Sequence, residues 1–259
     1  MKLTVCWKWV TVDGGEPDDR WAGVSPADEA ALETALTVAA ADDEVVVVSA
    51  GPPGAVAALR RALAAGATRA VRIDTDGAAS RDVATAVAAI AAGSDYVLCG
   101  DYSLDRGTGS VPAFLAADLG AAQALGLVSV DVTRRPVRVV RRLDGGRREV
   151  LDVPAPAVLS VEGSVARLRR ASLAASLASN SAPVDVVGGP PRSEQVAVVT
   201  AYRPRARSLP APAGGTLTRV RDILDIGGEP VHSESVTLDP PAAARRIVDQ
   251  LRDWGHLPA

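Results

Sequence analysis

The stretch Glu44-Val-Val-Val-Val-Ser49 has no polar face. A strand with one side in water alternates apolar and polar residues, whereas an unbroken aliphatic run belongs where both faces are covered, as in the middle of a parallel sheet. The surrounding residues fit such a sheet. Leu3 to Trp9, Ala70 to Ile73 and Tyr96 to Cys99 read as further strands. Alanine-rich amphipathic segments alternate with them, predicting helices over Pro26–Ala41, Pro53–Ala65, Arg81–Ala92 and Val111–Leu119. Strands alternating with helices predict an α/β fold with a doubly wound, mostly parallel sheet. Local signals agree: Ser25-Pro26 sets an N-cap before a first-turn proline, and Asp28 and Glu29 follow at the positive end of the helix dipole. Gly66 stands where a helix end favours positive φ.

Past residue 127 the texture changes. Val137–Leu143 and Arg147–Val153 flank Asp144-Gly145-Gly146, which predicts a β-hairpin, and Val158–Val161 reads as another short strand. Residues 167–177 mix arginine and leucine in a loop or short helix. Residues 180–216 are rich in Pro, Gly and Ser around one apolar island, Gln195–Thr200. Asp239-Pro240-Pro241 then opens a helix through Trp254, with Ile247, Val248 and Leu251 at helical spacing. The expected organisation is an α/β domain over 1–180 carrying an added β-hairpin, followed by an extended C-terminal arm over 181–259 that ends in a helix.

Composition excludes several functions. The 259 residues are 47% hydrophobic and 23% charged, a globular balance. No apolar run approaches the ~20 residues of a membrane span. The start Met1-Lys2-Leu3 lacks the parts of a secretion signal, so a cytoplasmic protein is expected, with Cys6 and Cys99 as reduced, buried core thiols. The 2 histidines, His232 and His256, both lie near the C-terminus, which argues against a zinc site, a Ser-His-Asp triad or a histidine base. A net charge of −3 argues against nucleic acid as a partner. Residues 1–130 carry 9 Lys+Arg against 17 Asp+Glu, and residues 131–259 carry 19 against 14. An acidic half followed by a basic half suits a protein that meets acidic partners with one surface.

Open parallel sheets bind ligands at the carboxyl ends of their strands. Those ends are Cys6-Trp-Lys-Trp9, Ser49-Ala-Gly-Pro52 and the loop from Gly100 to Ser110, with Ser25-Pro26 over the same rim. In the last loop, glycines before a helix leave backbone N–H groups free for a phosphate. Thr108 and Ser110 add hydroxyls and Arg106 a counter-charge. The other reading is a flexible loop in which Ser110 only caps the helix. There is no GxxxxGK[ST], and no GxGxxG follows the first strand. Trp7 and Trp9 share strand parity and are expected on one face, in core or interface packing. The arginines at 134, 135, 138, 141, 142, 147 and 148 read as a solvated hairpin face. Leucines among arginines at 167–177 read either as a solvated stretch or as a surface that docks an acidic partner.

Taken in order, these segments resemble the β-subunit of electron-transfer flavoproteins. Leu3-Thr-Val-Cys-Trp-Lys8 resembles that family's first strand. Ser25-Pro26-Ala27-Asp28-Glu29 is similar to its Asn-Pro-x-x-Glu helix start. Val48-Ser-Ala-Gly-Pro52, Leu59-Arg-Arg-Ala-Leu-Ala-Ala-Gly-Ala67 and Asp95-Tyr-Val-Leu-Cys-Gly100 resemble further family segments, as do Asp144-Gly-Gly146, Pro156-Ala-Val158 and Arg170-Ala-Ser-Leu173. The resemblance implies a Rossmann-like, adenine-nucleotide-binding type of domain. It implies an electron-carrier subunit rather than an enzyme, paired with an α-subunit that holds most of the FAD. Electrons would pass from a donor dehydrogenase to a downstream acceptor.

By the same resemblance, a nucleotide pocket would be built from Cys6, Ser25, Ala50, Gly100, Asp105, Arg106, Gly107, Thr108, Gly109 and Ser110. That pocket holds AMP in ordinary members and a second FAD in bifurcating ones. Arg170, Leu173 and Leu177 would dock the dehydrogenase, and the terminal arm would pack on the α-subunit. The family's pocket loop reads Gly-Lys-Gln-x-x-Asp-x-x-x-x-Gln-Thr-Gly, of which Gly100 and Asp105 remain here. The asparagine of the helix start is Ser25, and the tyrosine of the docking loop is Arg170. These departures imply a specialised member, with the actinobacterial branch tied to mycofactocin-dependent dehydrogenases as one candidate. Two alternatives share the fold. One is a stand-alone adenine-nucleotide-binding enzyme using Asp105, Arg106 and the 107–110 amides, although no acid–base pair flanks that loop. The other is a stress-type ATP-binding module that dimerises through its tryptophans.

Overall fold

The computed structural model describes residues 1–11, 22–75, 77–105, 107–131, 133, 136–190, 214–224 and 235–257. The chain forms two compact units, 1–197 and 198–259. In the first, the elements run β1 (Lys2–Cys6), β2 (Trp9–Thr11), β3 (Ala22–Val24), α1 (Pro26–Val38), β4 (Glu44–Gly51), α2 (Ala55–Ala65), β5 (Arg69–Asp74), α3 (Ser80–Ala91), β6 (Tyr96–Gly100) and α4 (Val111–Leu119). They continue with β7 (Ala122–Asp131), β8 (Val137–Arg142), β9 (Arg148–Val153), β10 (Ala157–Val161), α5 (Leu173–Ser179) and β11 (Asp185–Gly188).

Nine strands form one sheet in the order β11-β5-β4-β1-β6-β10-β7-β8-β9. It is parallel from β11 to β7 and turns antiparallel at β8 and β9. The aliphatic run of β4 lies between β5 and β1, and Val45 to Val48 are buried on both faces. On one face α1 and α2 pack Leu32, Leu59 and Ala62 against Leu3, Val5 and Val47. On the other, α3 and α4 pack Val87, Ala88 and Leu115 against Val46, Val48 and Val71. This is a doubly wound α/β fold, and it accounts for the lack of a polar face in residues 44–49.

Several elements depart from the periodicity. The first strand stops at Cys6, three residues before the expected Trp9. Trp7 and Trp9 therefore do not share a face: Trp7 is buried and its indole N–H donates to the Ala58 carbonyl at 3.1 Å, whereas Trp9 opens the separate β2–β3 pair. Strand β7, which the pattern did not suggest, contains Gly126 at φ 68 and a register shift between Leu127 and Ser129 against β8. Such a bulge breaks strict alternation. Strand β11 lies past residue 180 and adds an exposed edge strand beside β5, so the sheet takes in part of the Pro/Gly-rich stretch.

The hairpin arginines keep to the surface as expected, and three of them form ion pairs there. Arg138 binds Asp152 through two bonds of 2.8 and 2.9 Å, Arg141 pairs with Glu149, and Arg142 reaches Glu162 at 2.6 Å. Opposite charges facing across neighbouring strands support the pairing. Arg134 and Arg135 lie outside the described residues, as does the island 195–200.

In the second unit, α6 (Thr216–Ile223) and α7 (Pro240–Asp253) are described. Asp239 caps α7, its carboxylate accepting from the Ala242 N–H at 2.9 Å, and Ile247 and Trp254 are exposed. No described helix is long and apolar enough to cross a membrane.

Candidate functional site

The parallel topology brings the carboxyl ends of β1, β4 and β6 to one rim, where the N-termini of α1, α3 and α4 also arrive. A cavity of about 380 Å³ opens there. Of the ten residues expected at a pocket, seven line it: Cys6, Ala50, Gly100, Asp105, Thr108, Gly109 and Ser110. Ser25 does not line it. It is buried, and its Oγ accepts the Asp28 N–H at 3.0 Å as the N-cap of α1. Gly107 also stands away from the cavity, its N–H donating to Ser103 Oγ at 3.3 Å, and Arg106 lies outside the described residues.

The wall is apolar on one side, where Trp9, Val48, Val83 and Val87 contribute. Polar groups gather at the N-terminus of α4. Gly109 has φ 58, a left-handed backbone, and a Cβ there would stand 2.9 Å from the Asp101 carbonyl, so the tight turn calls for glycine. Ser110 occupies the N-cap position of α4 without a side-chain capping bond; its hydroxyl lies 3.2 Å from that of Thr108. Lys8, just past β1, reaches over the mouth and binds both Asp105 oxygens at 2.7 and 2.8 Å, while Ser103 Oγ donates to Asp105 at 2.6 Å. The first strand end is thus tied to the loop before α4.

One residue at the rim does more than favour the helix dipole. Asp28, in the first turn of α1, is buried and lines the cavity. Its Oδ2 accepts the Lys8 N–H and its Oδ1 the Gly100 N–H, both at 3.1 Å, so one carboxyl ties α1 to the ends of β1 and β6. Burial pushes this carboxyl up from 3.8 to about 7, against the opposing pull of those two N–H groups, Ser25 and the Lys8 charge. The signal in the sequence was its place three residues after an N-cap serine; that its side chain leaves its own helix turn follows only from the sheet register. Gly100 accommodates the contact. A Cβ there would fall 2.5 Å from Asp28 Oδ1 and 2.8 Å from Asp28 N. Gly100→Ala is therefore expected to force β6 and α1 apart and to cost about 2 kcal/mol, measured by urea unfolding.

The leucine–arginine stretch is split by the fold. Leu168 packs partly against the core, and Arg169 clamps Glu33 of α1, with bonds of 2.8 to 3.1 Å. Burial raises the Glu33 carboxyl, but Arg169 more than reverses this, leaving it below the ordinary range. Arg170, Leu173 and Leu177 point away: Leu173 is 76% exposed and Leu177 61%. Helix α5 carries the two leucines, with Ser172 Oγ accepting from Ala175 N–H at 3.1 Å. Among the described residues, no group of three metal-ligating side chains comes together.

Residues 18–191 match the family model for the electron transfer flavoprotein domain. The chain is 30% identical over 190 residues to an electron transfer flavoprotein subunit beta of Syntrophomonas wolfei, covering 71% of this chain and 75% of that one. It is 32% identical over 183 residues to the subunit beta of Mycobacterium bovis, covering 66% and 68% respectively. It is 33% identical over 175 residues to the protein FixA of Azorhizobium caulinodans, covering 62% of each chain. A doubly wound sheet and a match over most of its length place this chain in the electron transfer flavoprotein family, among its β-subunits.

Proposed function

We propose that this chain is the β-subunit of a heterodimeric electron carrier, taking electrons from a dehydrogenase and passing them to a downstream acceptor through FAD held mainly by an α-subunit. The observation that carries the reading is the pairing of a nucleotide-sized cavity with an outward surface elsewhere on the same domain. The size and chemistry of the cavity support an adenine mononucleotide as its occupant. At about 380 Å³ it lies at the small end of ligand pockets, which span roughly 300–1000 Å³. Its apolar wall suits a base, and its polar end is a helix N-terminus with two hydroxyls. A second FAD fits less well in that volume, which argues for a simple carrier over a bifurcating one. In this reading the nucleotide is structural and no residue of this chain is catalytic.

The residues that would hold the mononucleotide are Thr108, Gly109 and Ser110 at the phosphate and Trp9, Val83 and Val87 at the base. Asp28 and the Lys8–Asp105 pair would fix the rim around it. Leu173 and Leu177, flanked by Arg170, would meet the donor, and the part of the segment 181–259 that follows β11 would act as an arm that packs on the α-subunit. The test is to release ligands with acid from the heterodimer and identify them by mass. One AMP and one FAD per dimer support the reading. FAD alone removes the mononucleotide from it, and two FAD restore the bifurcating alternative.

A further inference from the structure

Strands β1 and β6 run parallel, with Val5 opposite Leu98. The residue that follows on β1 is Cys6, and on β6 it is Cys99. Neighbouring strands lie about 4.8 Å apart, inside the roughly 4.4–6.8 Å over which Cα atoms can be joined by a disulfide. Both cysteines line the cavity; Cys6 is half-buried and Cys99 buried. Cys99 is a buried core thiol as expected, whereas Cys6 is only half-buried, and both border the same cavity.

We propose that Cys6 and Cys99 form a redox-active thiol pair, oxidised to an intramolecular disulfide by a hydroperoxide that enters through the cavity. The Cys6 sulfur attacks the peroxide, forming an S–O bond as the O–O bond breaks. An alcohol, or water from hydrogen peroxide, leaves with the thiol proton, and the sulfur has given up two electrons. The Cys99 sulfur then displaces the hydroxyl: the S–S bond forms, the S–O bond breaks, and the Cys99 proton departs in the water produced. Two thiols and one hydroperoxide thus yield one disulfide, one alcohol and one water. The order of events follows exposure, because Cys6 is the sulfur that a solute in the cavity meets first. The adjoining Cys6 thiol, together with burial and the Asp28 charge, pushes the Cys99 thiol up, which leaves Cys6 rather than Cys99 as the sulfur that reacts first.

The test is to treat the full chain with equimolar hydrogen peroxide and follow its thiol titre and intact mass. The expected result is loss of both thiols with loss of two hydrogens, a peptide linking Cys6 to Cys99, and full return with dithiothreitol. In Cys99→Ala, oxidation should stop at a Cys6 sulfenic acid trapped by dimedone. Both thiols surviving a dose that consumes free glutathione would overturn the proposal. So would gain of oxygen atoms without loss of hydrogens, or disulfides only between separate chains. The wild-type measurement decides the matter even if the variant fails to fold.

Discussion

Asp28→Ala is expected to lower the unfolding free energy by about 3 kcal/mol, because it takes the shared acceptor from the Lys8 and Gly100 N–H groups and unties α1 from the ends of β1 and β6. Asp28→Asn should lose about half as much, since its single carbonyl oxygen can accept only one of the two. The pair of variants separates hydrogen bonding from charge through pH. With its carboxyl raised from 3.8 to about 7, the native state holds a proton that the unfolded chain releases. The contribution of that proton is fully present below about pH 4 and fades as pH rises through about 7. It amounts to something on the order of 4 kcal/mol. Urea midpoints for wild type should therefore fall, relative to those of Asp28→Asn, between pH 4 and 8. Parallel curves for the two proteins would show that Asp28 is ionised throughout and that its burial is not the dominant influence.

Under the proposed function, Leu173→Ala is expected to slow reduction of the flavin of the heterodimer by a donor dehydrogenase about tenfold, the equivalent of removing one apolar anchor from a small interface. The side chain is 76% exposed on a capped helix that packs against α2, so its truncation leaves the fold nothing to repack. Flavin content and unfolding midpoint should stay unchanged. Stopped-flow reduction monitored by flavin absorbance reads the effect, and an unaltered rate would remove Leu173 from the docking surface. Leu177→Ala, on the same helix with 61% exposure, should act in the same direction.

The parallel core was legible because burial on both faces leaves a compositional trace: Val45 to Val48 could not face water in any arrangement. Caps were legible for a similar reason, since Ser25 and Asp239 each satisfy a donor only a few residues away. What escaped was long-range. Asp28 acts across 20 residues to Lys8 and 72 to Gly100, and nothing local marks those partners. Strand β7 hid behind Gly126, whose bulge spoils the period, and β11 hid in an exposed stretch with no apolar face to reveal it. The tryptophans misled because strand parity was carried one turn too far: the chain leaves the sheet after Cys6, sending Trp7 inward and Trp9 to the cavity wall. At the site, seven of ten expected residues line the cavity because strand ends are fixed by topology; Ser25 sits beneath them because its hydroxyl is committed to its own helix.

The measurement that bears most directly on the central claim is co-expression of the full chain with an electron transfer flavoprotein α-subunit from the same organism, followed by purification through a tag on this chain and a visible spectrum. A yellow one-to-one heterodimer whose flavin is bleached by a reductant and recovered by an acceptor is the predicted result. A colourless chain that purifies alone and binds or hydrolyses ATP would contradict the account.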